Sequence, residues 1–591
     1  MANIRIPTAI PPTTINKFLG LNENIDGEYG LQLGEASKQI GFRVTSGLQL
    51  KRMEGYKTLF SGLVGNVQGM WSGKLNNTFF FLFANSGHLY KGDLATGIKT
   101  DLGTLTDAPT SFQDFGNKVY ILNGHEYKSF DGISLVNVVG YRPLVAISTP
   151  PAGGGTLYDQ INVLNGMKHQ TFSPSASILT YQLAETSITT LDFVKINGVT
   201  KVLTTDYTVN LATGIVTFTV APPLYVPNNV DIGWTKGTGQ RSLIENCRFA
   251  MDYSGQTDSR LFLWGNTTLK NRRFWSGMAN GVPSAEYFEA NSYDDLGNGQ
   301  YAITDIVKMA DIQKIYFENG AMYSYYAAET IGTYVTATFP VFELSDEIGN
   351  VAFNQVQIVN DKPLTIYNGI HAWENTNVRY QLIHNLISQR VQDSLDLEDL
   401  SKAITIDWQM NKEYWLIIGS TVWIYNYLNN TWYKRNNVPA TCLIVINDVL
   451  YFGTNGTIEK FDSYNRNDNG QVIETSWEMG FYDFGAEYLK KYMSRLWVSL
   501  KPDIKSRVDI NYITNNEGTS TVQVVHYNLA TFARCNFAHF GFNTSYNAQP
   551  FRLAMKAKGF DYMKIVLKSD SLDDTATILS LSILTRYGGN I

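Results

Sequence analysis

KVYILNGHEYKSFDG, residues 118–132, is two short apolar and aromatic runs on either side of an Asn-Gly pair. Asn-Gly between such runs is the strongest short-range signal of a β-hairpin, because a two-residue type I′ turn needs φ > 0 at both central positions. The same unit recurs along the chain. It stands as FFFLFANSGHLYKGDL (79–94), RLFLWGNTTLKNRRFWSG (260–277), KIYFENGAMYSYY (314–326), PLTIYNGIHAWEN (363–375), EYWLIIGSTVWIYNY (413–427) and VLYFGTNGTIEKFDS (449–463). The turns fall at Gly87, Gly124, Gly265, Gly320, Gly369, Gly419 and Gly456, and an aromatic residue usually follows (Tyr90, Tyr127, Tyr323, Trp373, Trp423, Phe461).

Most steps between turns are about 37 to 55 residues, in or near the range of about 40–50 per blade of a β-propeller. The expected fold is therefore all-β: a propeller of about six to eight blades. One step is far longer, and the extra chain has its own character. It opens on Pro150-Pro151 and Gly153-Gly154-Gly155, a turn-forming entry. It then alternates through FVKINGVTKVLTTDYTVNLATGIVTFTVAPP (193–223) and closes after VDIGWTK (230–236). Residues 153–236 read as a small β-sandwich inserted in the propeller. From Gly470 the strands lengthen, which predicts a C-terminal β-sandwich or platform. The domain reading is thus 1–60, an N-terminal segment pairing with the platform; 61–152 and 237–469, the two parts of the propeller; 153–236, the insertion; and 470–591, the platform. In VRYQLIHNLISQRV (378–391), Leu382, Ile383, Leu386, Ile387 and Val391 recur at three to four residues, which predicts a helix.

Composition agrees with strands. Of 591 residues 17% are charged and 13% aromatic, with 49 Gly, which argues against coiled coil and disorder. The net charge of −6 excludes a strongly cationic coat for nucleic acid. Residues 1–21 carry no cationic start followed by an apolar stretch, so no secretory signal is expected, and the longest apolar run (79–84) is far too short to span a membrane.

Chemistry-bearing motifs are scarce. Cys247, Cys442 and Cys535 are scattered and read as buried thiols. None of His88, His125, His169, His371, His384, His526 and His539 has metalloprotease spacing, and no phosphate loop or nucleophile elbow is present. Residues 465–470, NRNDNG, imitate a calcium loop, but position twelve is Ser476 where a bidentate Glu is required. Asp294-Asp295, Asp396 with Glu398-Asp399, and Asp573-Asp574 are acid pairs along loops, read as solvated surface; two acids facing each other across a sugar would be needed for glycosidase chemistry. Lys270, Arg272 and Arg273 precede Phe274-Trp275, a pattern that in other settings holds single strands of nucleic acid. Here it reads as a solvated blade edge, as does Lys490-Lys491. No catalytic, cofactor-binding or metal-ligating residue is assigned, and no enzyme activity or cofactor is expected.

The insertion, as Val194–Gly198, Asp206–Val209, Gly214–Phe218 and Ala221–Pro223, resembles a small β module that recurs in tailed-phage virion proteins. Residues 387–435 (ISQRVQ…SKAITIDWQMNKEYWLIIGSTVWIYNYLNNTWYKR) resemble the propeller segment of phage tail nozzle and hub proteins, and 15–44 with 50–60 resemble their start. The chain is shorter than the larger nozzles. The resemblance implies a structural subunit of a phage tail, assembled in the host cytoplasm and carried in the virion. It further implies a homo-oligomeric ring, expected to be a hexamer, below an adaptor ring. Genome DNA would pass through it without specific binding, and fibres or other tail proteins would dock on it. The alternative is a receptor-binding protein for host cell-wall glycan.

Overall fold

The computed structural model describes residues 11–24, 29–254, 258–331, 334–375, 382–503, 505–527 and 548–590. The chain is all-β, of propeller type, in two compact units: residues 1–67, 94–97 and 351–591 form one, and 68–93 with 98–350 the other.

Six of the seven hairpins read from the sequence are the middle hairpins of four-stranded antiparallel sheets, and the remaining one, Glu413–Ile418 with Thr421–Asn426, is the middle hairpin of four antiparallel strands that belong to a larger sheet. In the unit built around residues 98–350, Thr78–Asn85 pairs with His88–Gly92, Lys118–Leu122 with Tyr127–Phe130, Ser259–Trp264 with Arg272–Trp275, and Ile312–Phe317 with Ala321–Tyr325. In the other, Lys362–Ile366 pairs with Ile370–Asn375, Glu413–Ile418 with Thr421–Asn426, and Val449–Gly453 with Ile458–Phe461. Within each unit, neighbouring sheets bury their faces against each other, which explains why their inner strands are apolar without interruption. Leu82, Leu89, Val119 and Ile121 share one core; Leu122, Tyr127, Leu261 and Phe274 share the next. All six residues of Glu413–Ile418 are buried, each large apolar side chain contributing about 1.5–3 kcal/mol.

The turns are more varied than expected. Of the four Asn-Gly pairs in these middle hairpins (at 123, 319, 368 and 455), only Asn368-Gly369 has both residues at positive φ (47° and 123°). At Asn123-Gly124 the side chain of Asn123 instead accepts hydrogen bonds from the amides of His125 and Glu126 (3.0 and 3.2 Å), an Asx turn that needs positive φ at Gly124 alone. True two-residue turns lie between first and second strands, at Asn76-Asn77, Gly116-Asn117, Asn360-Asp361 and Asn447-Asp448.

Three expectations need correction or refinement. Residues 382–391 are not one helix: Leu382–Leu386 is a strand antiparallel to Ile370–Asn375, followed by a 3-10 turn (Gln389–Val391) and one helical turn (Gln392–Leu395). The four-residue spacing of the buried pair Val391 and Leu395 is helical, but the open edge of the fifth sheet claims the residues before it. Residues 378–381 lie outside the described residues. The inserted module begins earlier than Gly153. Leu144–Thr149 runs parallel to Met167–Phe172 in its six-stranded sheet, which packs on a three-stranded one around Phe172, Tyr181, Val194, Phe218, Ile232 and Trp234. Finally, Thr13–Ile15, Phe42–Val44 and Leu50–Arg52 join the sheet of the C-terminal strands Leu489–Leu500 and Thr577–Asn590, whereas Tyr56–Phe60 pairs with Ile458–Phe461 as the fourth strand of the seventh blade. The sixth blade runs on, through Glu35–Ile40, into the second platform sheet, making eleven strands in all.

Candidate functional site

The acid pair and the basic cluster seen separately in sequence are each other's partners. Strand Arg272–Trp275 lies beside Tyr293–Asp295. Arg272 reaches both oxygens of Asp295 (2.7 and 2.6 Å), and Arg273 both oxygens of Asp294 (3.1 and 2.6 Å). Arg273 also donates to Gln313 (2.6 Å) and is fully buried, and Arg272 stacks 3.8 Å from the Tyr293 ring centroid. The donors that would meet a phosphate are thus engaged. The other motifs resolve similarly. Asp468 of the calcium-like loop pairs with Arg435 (2.6 Å), and Asn469 accepts from the amide of Thr58. Asp399 caps the turn at Ser401, Asp573 pairs with Lys505, and Lys490 with Asp561. His169 meets Asp231 and His88 meets Asp101, while His371 bonds to the Tyr367 carbonyl (2.8 Å) and lies against the ring of His384, which also meets Trp373. Among the described residues no three His, Cys, Asp or Glu converge on a metal site. Burial pushes the thiols of Cys247 and Cys442 up, out of the range of a nucleophile. Cys535 and His539 lie outside the described residues. No helix of the described residues is long and apolar enough to cross a membrane.

Sequence gave no hint of the charges buried beneath the sixth blade. Arg43 lies 3.0 Å from Glu54 and 3.0 Å from Glu413, whose oxygens also accept from Tyr433 (2.7 Å) and Trp415 (2.9 Å). Burial raises the Glu413 carboxyl above its usual range, against the pull of Arg43. Both carboxylates find their partners within the fold, so the cluster reads as architecture.

Three surface features stand out among the described residues. The first is the outer end of the inserted module. Its loops are held together by main-chain bonds (Tyr225 to Pro174, Thr219 to Asp206, Asn197 to Asn229), yet they leave Val199, Val202, Leu203, Val220 and Tyr225 in solvent, the last two at 76% and 80% exposure. Grouped apolar side chains of this kind mark interaction surfaces. The second is a cleft of about 470 Å³ in the sixth and seventh blades, walled by Lys51, Trp408, Met410, Asn411, Asp448 and the exposed Tyr464.

The third is a cleft of about 550 Å³ on the platform, lined by Tyr29, Phe481, Asp483, Glu487 and Tyr562 among others. A parallel bridge sets Tyr29 beside Phe481; the rings stack at 5.3 Å and 15°, and Tyr562 meets Tyr29 edge-on at 4.9 Å. The Tyr562 hydroxyl donates to Glu487, a bond that pushes the phenol up to about 12. These residues come from three distant stretches of chain, so no local pattern announced them.

No known family signature and no curated protein matches the chain. Among solved structures, the AfRom2 CNH domain aligns with 70% of this chain and all of its own, at 7% identity and a TM-score of 0.36. The WD40 domain of SCAP from fission yeast covers 69% of this chain and 94% of its own at 10% identity (TM-score 0.27), and YCF48 from Cyanidioschyzon merolae 69% and 98% at 8% identity (TM-score 0.24). At such values the likeness carries no argument about what the chain binds or does.

Proposed function

We propose that this chain is a structural subunit of a tailed-phage tail, one protomer of an oligomeric nozzle or hub through which genome DNA passes and on which fibres dock. Sixfold symmetry is the expected arrangement. The observation that carries the reading is the inserted module. Its strands and the turns between them hold the Val194–Gly198, Asp206–Val209, Gly214–Phe218 and Ala221–Pro223 phrases that resemble a virion module, and its loops expose Val220, Tyr225 and their neighbours as a surface suited to another protein. Low charge and abundant Tyr and Trp suit large subunit interfaces, where aromatics are enriched and Lys and Glu depleted. Net acidity suits a conduit, because repulsion from phosphates keeps DNA moving.

The test is native mass measurement with electron imaging of the purified chain, alone and mixed with the tail's adaptor ring. A sixfold or twelvefold ring with a central channel is expected. A chain that stays monomeric in both samples overturns the reading. The second reading, recognition of host glycan, leans on the cleft at Trp408 and Tyr464, where an aromatic ring and polar groups suited to a sugar stand together.

A further inference from the structure

The platform cleft has walls of two kinds. Tyr29, Phe481 and Tyr562 supply ring faces, whose quadrupoles attract cations. Asp483 and Glu487 supply carboxylates. The aromatic wall already holds one cation of the chain itself: the Lys564 ammonium lies 5.1 Å from the Phe481 ring centroid. That lysine is tied to Glu478 (3.3 Å), and Lys490 to Asp561 (2.6 Å). Lys491 is buried with its ammonium on the Asp561 carbonyl (2.9 Å). Among the described residues no lysine or arginine forms an ion pair with Asp483 or Glu487, although Lys491 balances them in part. Tyr29 is 45% exposed, so its ring is open to a visitor.

We propose that this cleft is a binding site for an arginine side chain borne on a loop of another protein. A guanidinium is planar, so it stacks on tyrosine faces while donating in pairs to a carboxylate; an ammonium offers only a point charge. The cleft, at about 550 Å³, is larger than a guanidinium alone and has room for the residues that flank it. The assignment stands apart from the tail reading, since a receptor protein or a monomer would use the cleft in the same way.

The experiment is calorimetric or saturation-transfer titration of the full chain with N-acetyl-arginine-methylamide, with the lysine and citrulline analogues in parallel. The arginine probe binds, the lysine probe binds more weakly, and citrulline, isosteric but uncharged, binds at least about tenfold more weakly. Glu487→Gln and Tyr29→Ala each weaken the arginine probe about tenfold. Both positions are at the surface, so the melting temperature reports whether each variant stays folded; Asp483→Asn serves in place of either that does not. Absence of arginine binding, equal binding of citrulline, or undiminished binding by folded Glu487→Gln overturns the assignment. Ring formation is read separately by native mass, so either conclusion fails without the other.

Discussion

The Arg273 guanidinium, fully buried between the third and fourth blades, lies 2.6 Å from the Asp294 carboxylate across a pair of neighbouring strands. One residue along the same strands, Arg272 and Asp295 repeat the pair at the surface, with the carboxylate half-exposed, at the same 2.6 Å. Two forked pairs of similar geometry therefore meet two dielectric environments. Asp294→Ala strands a buried charge and costs about 3–5 kcal/mol. Asp295→Ala costs under about 1 kcal/mol. Urea unfolding of the two variants checks this, and equal losses would refute the dielectric argument.

The turn at Asn368-Gly369 gives a second test. A methyl group added at Gly369 meets Gln392 Oε1 at 2.6 Å, Leu386 Cδ1 at 2.7 Å and Ser388 Oγ at 2.8 Å, on a backbone at φ 123°. At Gly419 (φ 62°) an added methyl meets nothing within 4 Å. Gly419→Ala costs about 1 kcal/mol of left-handed strain, and Gly369→Ala more, by about 1–3 kcal/mol, in thermal melts.

Lys314 offers a pH test. Burial pushes its ammonium down to about 8 from an ordinary 10.5. Between those values the unfolded chain binds the proton and the folded chain does not. Stability therefore rises with pH across that window, and the burial penalty is fully present below it. Lys314→Met flattens the rise. Denaturant midpoints taken from pH 7 to 10.5 for both proteins measure the difference, and parallel profiles would contradict it.

Val220→Glu and Tyr225→Ser bear on assembly. Both side chains are exposed in the single chain, so stability changes by no more than about 0.5 kcal/mol. Native mass spectra should nonetheless lose oligomer in favour of monomer. Unchanged assembly would remove the inserted module from the interface.

The blades were legible because each middle hairpin joins two apolar runs through a Gly-containing turn, and that signal is local. The outer turns escaped notice because Asn76-Asn77, Asn360-Asp361 and Asn447-Asp448 reach positive φ without glycine. Residues 382–391 misled because their five apolar positions fit a helical face, and only the free edge of Ile370–Asn375 makes a strand of the first three. The partnership of Arg272 and Arg273 with Asp295 and Asp294 was hidden although both halves had been noticed, since the pairing depends on which strands become neighbours. The platform cleft left no trace, because Tyr29, Phe481 and Tyr562 are joined only by tertiary structure.

The seventh blade takes its fourth strand from Tyr56–Phe60 and the other three from residues 442–461. On the ribosome the first of these emerges some 400 residues ahead of the rest, an interval on the order of 20–80 s at ordinary rates of synthesis. Through that time Tyr56–Phe60 is a strand without its partner, exposed to pairing with the wrong edge. Any chain that stops short of Phe461 never ends that wait, so closure of the blade marks synthesis past residue 461.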